Sequence, residues 1–118
     1  MSKIFTIRAG NRRPWLAYDF GFSLVEATGV TFSARDAATG AVFIDNQPAQ
    51  IADGTYIVNG VQEVLTPADG VAFYAWGPTD TAVERKSALC LFHITWSPGV
   101  SESMPSDGYE KIAIVDNF

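Results

Sequence analysis

The chain has 118 residues, of which 47% are hydrophobic and 13% aromatic, and its formal net charge is −5. This length predicts one domain over residues 1–118, because two domains would each be too small to bury a core. The apolar fraction excludes general disorder. We expect no nucleic-acid partner, since phosphate binding requires a concentrated basic surface. The basic cluster of Arg8, Arg12 and Arg13 is either a solvated turn or a contact with an acidic neighbour.

The single cysteine, Cys90, cannot form an intramolecular disulfide. Its neighbours are apolar, which predicts a small buried side chain rather than a reactive thiol. The first residues carry no secretory signal, and no window of the sequence is long enough for a transmembrane helix. We therefore expect a protein that is made in a cytoplasm and has no membrane partner.

Short segments rich in β-branched and aromatic residues alternate with turn signals, a pattern typical of an all-β sandwich or barrel. The dipeptide Asn59-Gly60 is the clearest hairpin signal, since it suits a two-residue turn. Residues 79–86 predict a loop with room for a short helical turn. The predicted strands are, in chain order, residues 3–8, 14–20, 29–35, 41–45, 55–59, 61–65, 71–76, 88–96 and 109–115.

The longest predicted strand, residues 88–96, alternates with period two and places its even-numbered residues on one face. The opposite face carries Leu89, Leu91 and His93, so one end of the strand is apolar on both sides. A strand of this kind belongs in the centre of a sheet. We predict that Leu89 and Leu91 are partly covered by a loop or by a neighbouring subunit.

The sequence offers little for catalysis or metal binding. Its only histidine, His93, is interpreted as a hydrogen-bonded surface or half-buried residue. One histidine and one cysteine cannot complete a zinc site, and the aspartates lie singly at turns, although a calcium site assembled from separate loops stays open. No nucleophile elbow or phosphate-binding glycine loop is present. We predict no enzyme, cofactor, metal or catalytic residue; an enzyme would require His93 in a cleft with a carboxylate and a hydroxyl.

The aromatic residues allow two interpretations. Trp15, Trp76 and Trp96, with several tyrosines and phenylalanines, could form a stacking platform for a sugar. Alternatively they fill the core or a subunit contact, which we favour because aromatic side chains dominate both kinds of packing. Exposure of two coplanar tryptophans in one groove would support glycan binding, and burial of all three would exclude it.

An ordered series of residues runs through the second half of the chain. The series is Tyr74-x-Trp76, Asp80-Thr81, Phe92-x-Ile94, Pro105-x-Asp-Gly-Tyr109 and Ile112-x-Ile114, preceded by Gly10, Pro14-x-Leu16 and the strand from Thr28 to Arg35. This series resembles the immunoglobulin-like β-sandwich domain of tailed-bacteriophage virion proteins and is similar to the N-terminal domain of phage upper baseplate proteins. The first half fits more loosely, and Lys86-Ser87-Ala88-Leu89 departs from the Gly-Tyr or Gly-x-Tyr pair of the family.

The resemblance implies an immunoglobulin-like antiparallel β-sandwich of about seven to nine strands and brings no catalytic residues with it. It implies a structural protein of the virion, made in the host bacterial cytoplasm. Such a protein assembles on capsid, neck, tail or baseplate through other phage structural proteins and copies of itself. Because the sequence ends at Phe118, where baseplate proteins continue into further domains, we expect a small standalone component.

The remaining alternative for function is a carbohydrate-binding module that recognises a host-surface glycan.

The candidate residues for interaction with a partner are Arg12, Arg13, Trp15, Leu89 and Leu91.

Overall fold

The computed structural model describes residues 4–13, 15–58, 60–97, 99–105 and 109–116. Within them the chain forms ten strands and one short 3-10 turn, Pro67–Asp69. None of these residues forms a helix with the length and apolarity that crossing a membrane requires. The strands are β1 (Phe5–Arg8), β2 (Leu16–Asp19), β3 (Gly29–Asp36), β4 (Val42–Ile51), β5 (Gly54–Val58), β6 (Val61–Leu65), β7 (Val71–Tyr74), β8 (Arg85–Ser97), β9 (Val100–Met104) and β10 (Glu110–Val115).

Two sheets share strand β4. The larger sheet has the order β1-β10-β8-β3-β4, and β9 pairs with the second half of β8. The first part of β4 pairs with β3, whereas Gln50 and Ile51 pair with β7, which in turn pairs with β2. All these pairs are antiparallel except β1 with β10, which run parallel. The predicted all-β, antiparallel sandwich is therefore confirmed.

The core lies between the sheets and is built from alternate residues of the strands. On β3 the side chains of Val30, Phe32 and Ala34 are buried, as period-two alternation predicts. The ring centroid of Phe32 lies 4.4 Å from that of Tyr74 and 4.9 Å from that of Phe92. Such offset and tilted aromatic pairs add to the free energy gained from burying their apolar surface.

The strands β5 and β6 form a hairpin that pairs with no other strand among the described residues. Val58 and Val61 are register partners, so the predicted hairpin is present; Asn59 of its predicted Asn59-Gly60 turn lies outside the described residues. Gly60 has a φ of 77°, which glycine adopts without strain. We call residues 54–65 the arm.

Gly70 closes the 3-10 turn before β7, and its backbone contacts the chain at Phe22. Its φ is 72°, and a Cβ at this position would lie 1.9 Å from the carbonyl oxygen of Phe22. The Gly70 carbonyl oxygen also accepts a 2.8 Å hydrogen bond from the backbone N–H of Phe20. Only glycine fits this close approach, which ties the loop after β2 to the start of β7.

Three segments differ from the predicted strands. The described residues form ten strands rather than seven to nine, because Val100–Met104 forms an edge strand despite its polar sequence. Strand β4 continues past residue 45 to Ile51, since it leaves one sheet and joins the other. Residues 78–81 form turns without a helix, and β8 begins at Arg85 rather than at residue 88.

Candidate interaction surfaces

The five predicted interaction residues do not form one site. Arg12, Arg13 and Trp15 lie beside the smaller sheet, next to the arm, where they line two adjoining depressions. Leu89 and Leu91 lie on the outer face of the larger sheet and line a different depression. The two groups are therefore described separately.

The first surface is built around the ring of Trp15, which is 38% exposed. The ring packs edge-on against Phe73, at 6.4 Å between centroids, and the guanidinium of Arg13 lies 5.8 Å from its centre. That second contact is a cation–π interaction at an exposed site. Arg12 is held in place because its Nε donates a 3.0 Å hydrogen bond to the carbonyl oxygen of Trp76.

Arg13 and Trp15 form walls of both depressions of this surface, whose volumes are ≈ 350 and ≈ 360 Å³. One is also lined by Phe73 and by residues 55–57 of β5, and the other by Arg12, Ala75 and Trp76. We call this surface the Arg–Trp groove. Volumes near 350 Å³ lie at the lower end of the range for binding pockets.

The arm beside the groove is attached to the sandwich through Tyr56. The ring of Tyr56 lies 4.9 Å from that of Phe73, and its hydroxyl accepts a 3.0 Å hydrogen bond from the backbone N–H of Asp53. Three apolar side chains of the arm are open to solvent: Ile57, Val61 and Val64 are 71%, 61% and 71% exposed. An isolated two-stranded hairpin is marginally stable, so this arm depends on contacts beyond its own strands.

The second surface lies on the larger sheet and has an apolar floor. Leu89 and Leu91, both half-buried, line a depression of ≈ 170 Å³ together with Val42, Arg35 and Tyr109. Arg35 donates a 3.1 Å hydrogen bond to the hydroxyl of Tyr109, and its guanidinium lies 5.1 Å from the centre of that ring. Side chains from β3 and from the segment before β10 thus cover the leucines in part.

His93 is half-buried on the outer face of the larger sheet, and its Nδ1 lies 2.8 Å from Oγ of Ser103, the residue directly opposite on β9. This confirms the interpretation of His93 as a hydrogen-bonded surface residue. No carboxylate in the described part of the chain is hydrogen-bonded to the imidazole. The described residues also contain no group of three or more histidine, cysteine, aspartate or glutamate side chains that could hold a metal ion.

The residues of the ordered series in the loop after β7 have structural roles. The carboxylate of Asp80 accepts hydrogen bonds from the hydroxyl of Tyr74 and from the backbone N–H of Gly77, the latter at 2.6 Å. Burial, and then the hydrogen bond to Asp80, raise the pKa of Tyr74. Buried Thr81 donates a 2.6 Å hydrogen bond to the carbonyl oxygen of Asn11. These bonds tie the loop to the end of β7 and to the segment after β1.

Two other titratable groups, Cys90 and Asp36, have pKa values that their structural surroundings shift. Cys90 is fully buried as predicted, and burial raises the pKa of its thiol to about 12. The carboxylate of Asp36 accepts a 2.8 Å hydrogen bond from the backbone N–H of Ala38 and pairs with Arg85 at 3.0 Å. Those two bonds, the backbone bond first, lower the pKa of Asp36. The ion pair joins the end of β3 to the start of β8.

The three tryptophans have different environments. Trp76 is 1% exposed and packs at 5.4 Å from Tyr74 in the core. Trp96 is half-buried, and its indole N–H donates a 2.7 Å hydrogen bond to Glu102. Trp15 is the one exposed tryptophan, so the three rings do not form a platform of two coplanar exposed tryptophans.

The arm was predicted as a hairpin but not as an exposed surface. Val61 and Val64 are three residues apart in a strand, so their side chains point to opposite faces. A hairpin with apolar residues on both faces cannot bury them all against one sheet, and this signal was available in the sequence. Phe73 lines the groove together with residues 55–57 of the arm, and Tyr56 packs against its ring. The local sequence does not specify this contact between the arm and β7.

Comparisons of the chain with protein-family models, with curated proteins and with solved structures find no match.

Proposed function

We propose that this chain is a non-enzymatic structural protein of a tailed phage or prophage virion. It acts as an assembly module through protein–protein contacts with other phage structural proteins and with copies of itself. The observation that carries the proposal is the exposed arm beside the Arg–Trp groove. An apolar projection next to an aromatic and cationic groove is a surface for protein contacts, since exposed apolar patches in folded proteins mark interaction sites.

The positions of the ordered series support the likeness to the phage sandwich domains. Tyr74 and Trp76 are core residues, and Asp80 and Thr81 hold the loop that follows them. Of the later residues in the series, Phe92, Ile94, Ile112 and Ile114 are fully buried. The residues that carry the resemblance are thus residues that a sandwich of this kind needs for its packing.

The proposal is tested on purified particles. Virions induced from the strain that encodes the chain are banded in a density gradient, and their proteins are identified by mass spectrometry. We expect the chain to co-purify with intact particles at a constant ratio to the other structural proteins. An abundant host cytoplasmic protein serves as the contamination control. Absence of the chain from particles, or a level no higher than that control, contradicts the proposal.

The carbohydrate-binding alternative would depend on Trp15, the one exposed tryptophan of the chain. A single ring provides a smaller stacking surface than a paired platform. Titration of oligosaccharides followed by tryptophan fluorescence tests this alternative directly. Saturable quenching that Trp15→Ala abolishes would favour glycan recognition over the assembly role.

A further inference from the structure

We propose that the arm of one copy of this chain binds in the Arg–Trp groove of a second copy. This inference rests on the proposed function, because it names the partner and the contact that assembly in multiple copies would use. It joins two surfaces that every copy carries, so the contact closes as a reciprocal pair or a ring, or continues from head to tail.

The first argument is that the arm lacks the features that protect an unpaired hairpin. Strands β5 and β6 pair only with each other among the described strands, which leaves an open edge on each. Natural proteins protect such edges with lysine, proline or an inward-pointing charge. Between residues 54 and 65 the arm contains no lysine and no proline, and its single charged residue is Glu63. Exposed Val61 lies two residues before Glu63, on the same face of β6.

The second argument is charge complementarity. Residues 8–15, which lead into the groove, contain Arg8, Arg12 and Arg13 and no acidic residue, in a chain whose net charge is −5. The arm carries only the negative charge of Glu63, and Asp53 immediately precedes it. Opposite patches on the same chain favour docking between copies, and they orient the encounter.

The third argument is the side-chain chemistry of the groove. Trp15 and Arg13 are of the residue types that contribute most to binding at protein interfaces, and they already contact each other. The ring of Trp15 offers an apolar wall for Val61, while Arg13 offers donors for the carboxylate of Glu63, which lies on the same face of β6. Residues 55–57 of β5 line the groove of their own copy, so β6 is the strand available to a neighbour.

The contact is tested by sedimentation and light scattering of the full chain over a concentration series at low and high salt. We expect the wild-type chain to associate, and to associate less at high salt, because an exposed charged contact is screened. Arg13→Glu and Glu63→Arg should each weaken self-association by about tenfold or more, because each places like charges opposite one another. Circular dichroism confirms that the variants are folded.

The controls make the same charge changes elsewhere on the surface. Lys111→Glu on the larger sheet and Glu26→Arg in the loop after β2 lie at exposed positions and should leave association unchanged. The decisive sample is an equimolar mixture of Arg13→Glu and Glu63→Arg. In this mixture the arm and the groove of unlike variants again carry opposite charges, so association should return.

A wild-type chain that is monomeric at every concentration and low salt overturns the arm-in-groove contact. So do control variants that weaken association as much as the groove and arm variants, or a mixture that stays monomeric. These outcomes are separate from a failure of the proposed function. A monomeric chain that is nevertheless present in purified particles overturns only this contact, whereas absence from particles overturns the assembly role itself.

Discussion

The core around Phe32 and the arm use similar residue types in opposite ways. In the core, Phe32, Tyr74 and Trp76 are at most 3% exposed and contact one another, whereas in the arm Ile57 and Val64 are each 71% exposed. The difference is one of partners rather than composition, since both regions consist of short apolar strands. Core strands find their partners within the chain, and the arm has apolar surface left for a partner outside it.

The largest expected effect on stability comes from removing a side chain of the core. Trp76→Ala should lower the free energy of unfolding by about 3–5 kcal/mol, because it removes a large buried ring and leaves a cavity. Denaturant titration followed by circular dichroism measures the change. A loss below about 1 kcal/mol would show that the ring contributes little to the core.

The same substitution, valine to alanine, compares the core and the arm directly when it is made once in each. Val30→Ala, at a residue that is 4% exposed, should cost roughly 1.5–3 kcal/mol. Val64→Ala, at a residue that is 71% exposed, should stay within about 0.5 kcal/mol. Equal costs for the two would mean that the arm is packed as tightly as the core.

Two glycines with nearly equal backbone angles provide the next test. Gly60 and Gly70 have φ values of 77° and 72°, so alanine at either position should cost about 1–3 kcal/mol in backbone strain. At Gly70 the added Cβ would also overlap the Phe22 carbonyl, which should cost roughly another 1–3 kcal/mol. A Cβ added at Gly60 would have no neighbouring atom within 4 Å.

The strain at Gly60 should also act locally. Because the arm pairs with no other described strand, we expect it to open without unfolding the sandwich. Gly60→Ala should therefore increase amide hydrogen exchange in residues 54–65 and lower the global transition less than Gly70→Ala does. Gly70→Ala should lower the thermal midpoint of the whole protein. A similar midpoint for the two variants would contradict the close contact at Phe22.

The last expected effect is a pH dependence that originates in the core and is confined to alkaline pH. Burial raises the pKa of Cys90 from 9.0 to about 12, so the folded state holds this proton more tightly than the unfolded state does. Its contribution to stability is complete below pH 9.0 and is lost as the pH rises toward about 12. The slope attributable to one such group is about 1.4 kcal/mol per pH unit.

Cys90→Ala removes this titration without adding a charge. Its free energy of unfolding should therefore fall less steeply than that of the wild type between pH 9.0 and about 12. The comparison uses slopes, so any constant cost of the smaller side chain cancels. Identical slopes would show that the thiol ionises as easily in the folded protein as in the unfolded one.

The sequence is sufficient to predict the inner faces of the central strands. Buried Val30, Phe32 and Ala34 follow from period-two alternation, as do the fully buried Ala88 and Cys90. Alternation works here because each of these strands has one sandwich interior to face. The hairpin of the arm was predictable for a different reason, since Asn-Gly encodes a two-residue turn locally.

The remaining features depend on neighbours that a local pattern does not contain. Strand β9 consists of Val-Ser-Glu-Ser-Met and forms because β8 offers it an edge. The change of sheet along β4 depends on the separate strands β3 and β7. The site was predicted in part: Arg13 and Trp15 do meet, but the arm that completes their groove was not recognised as exposed.

The parallel pairing of β1 with β10 has a mechanical consequence. Phe5 lies opposite Ile112 and Arg8 opposite Val115. The first residue of β1 and the last residue of β10 therefore lie at opposite ends of this strand pair. Tension applied between Phe5 and Val115 therefore slides the strands past each other and loads their hydrogen bonds together. A hairpin pulled at its open end instead loses its bonds one after another. The sandwich is thus arranged to resist stretching along its terminal strands, while its arm would peel apart under a much smaller force.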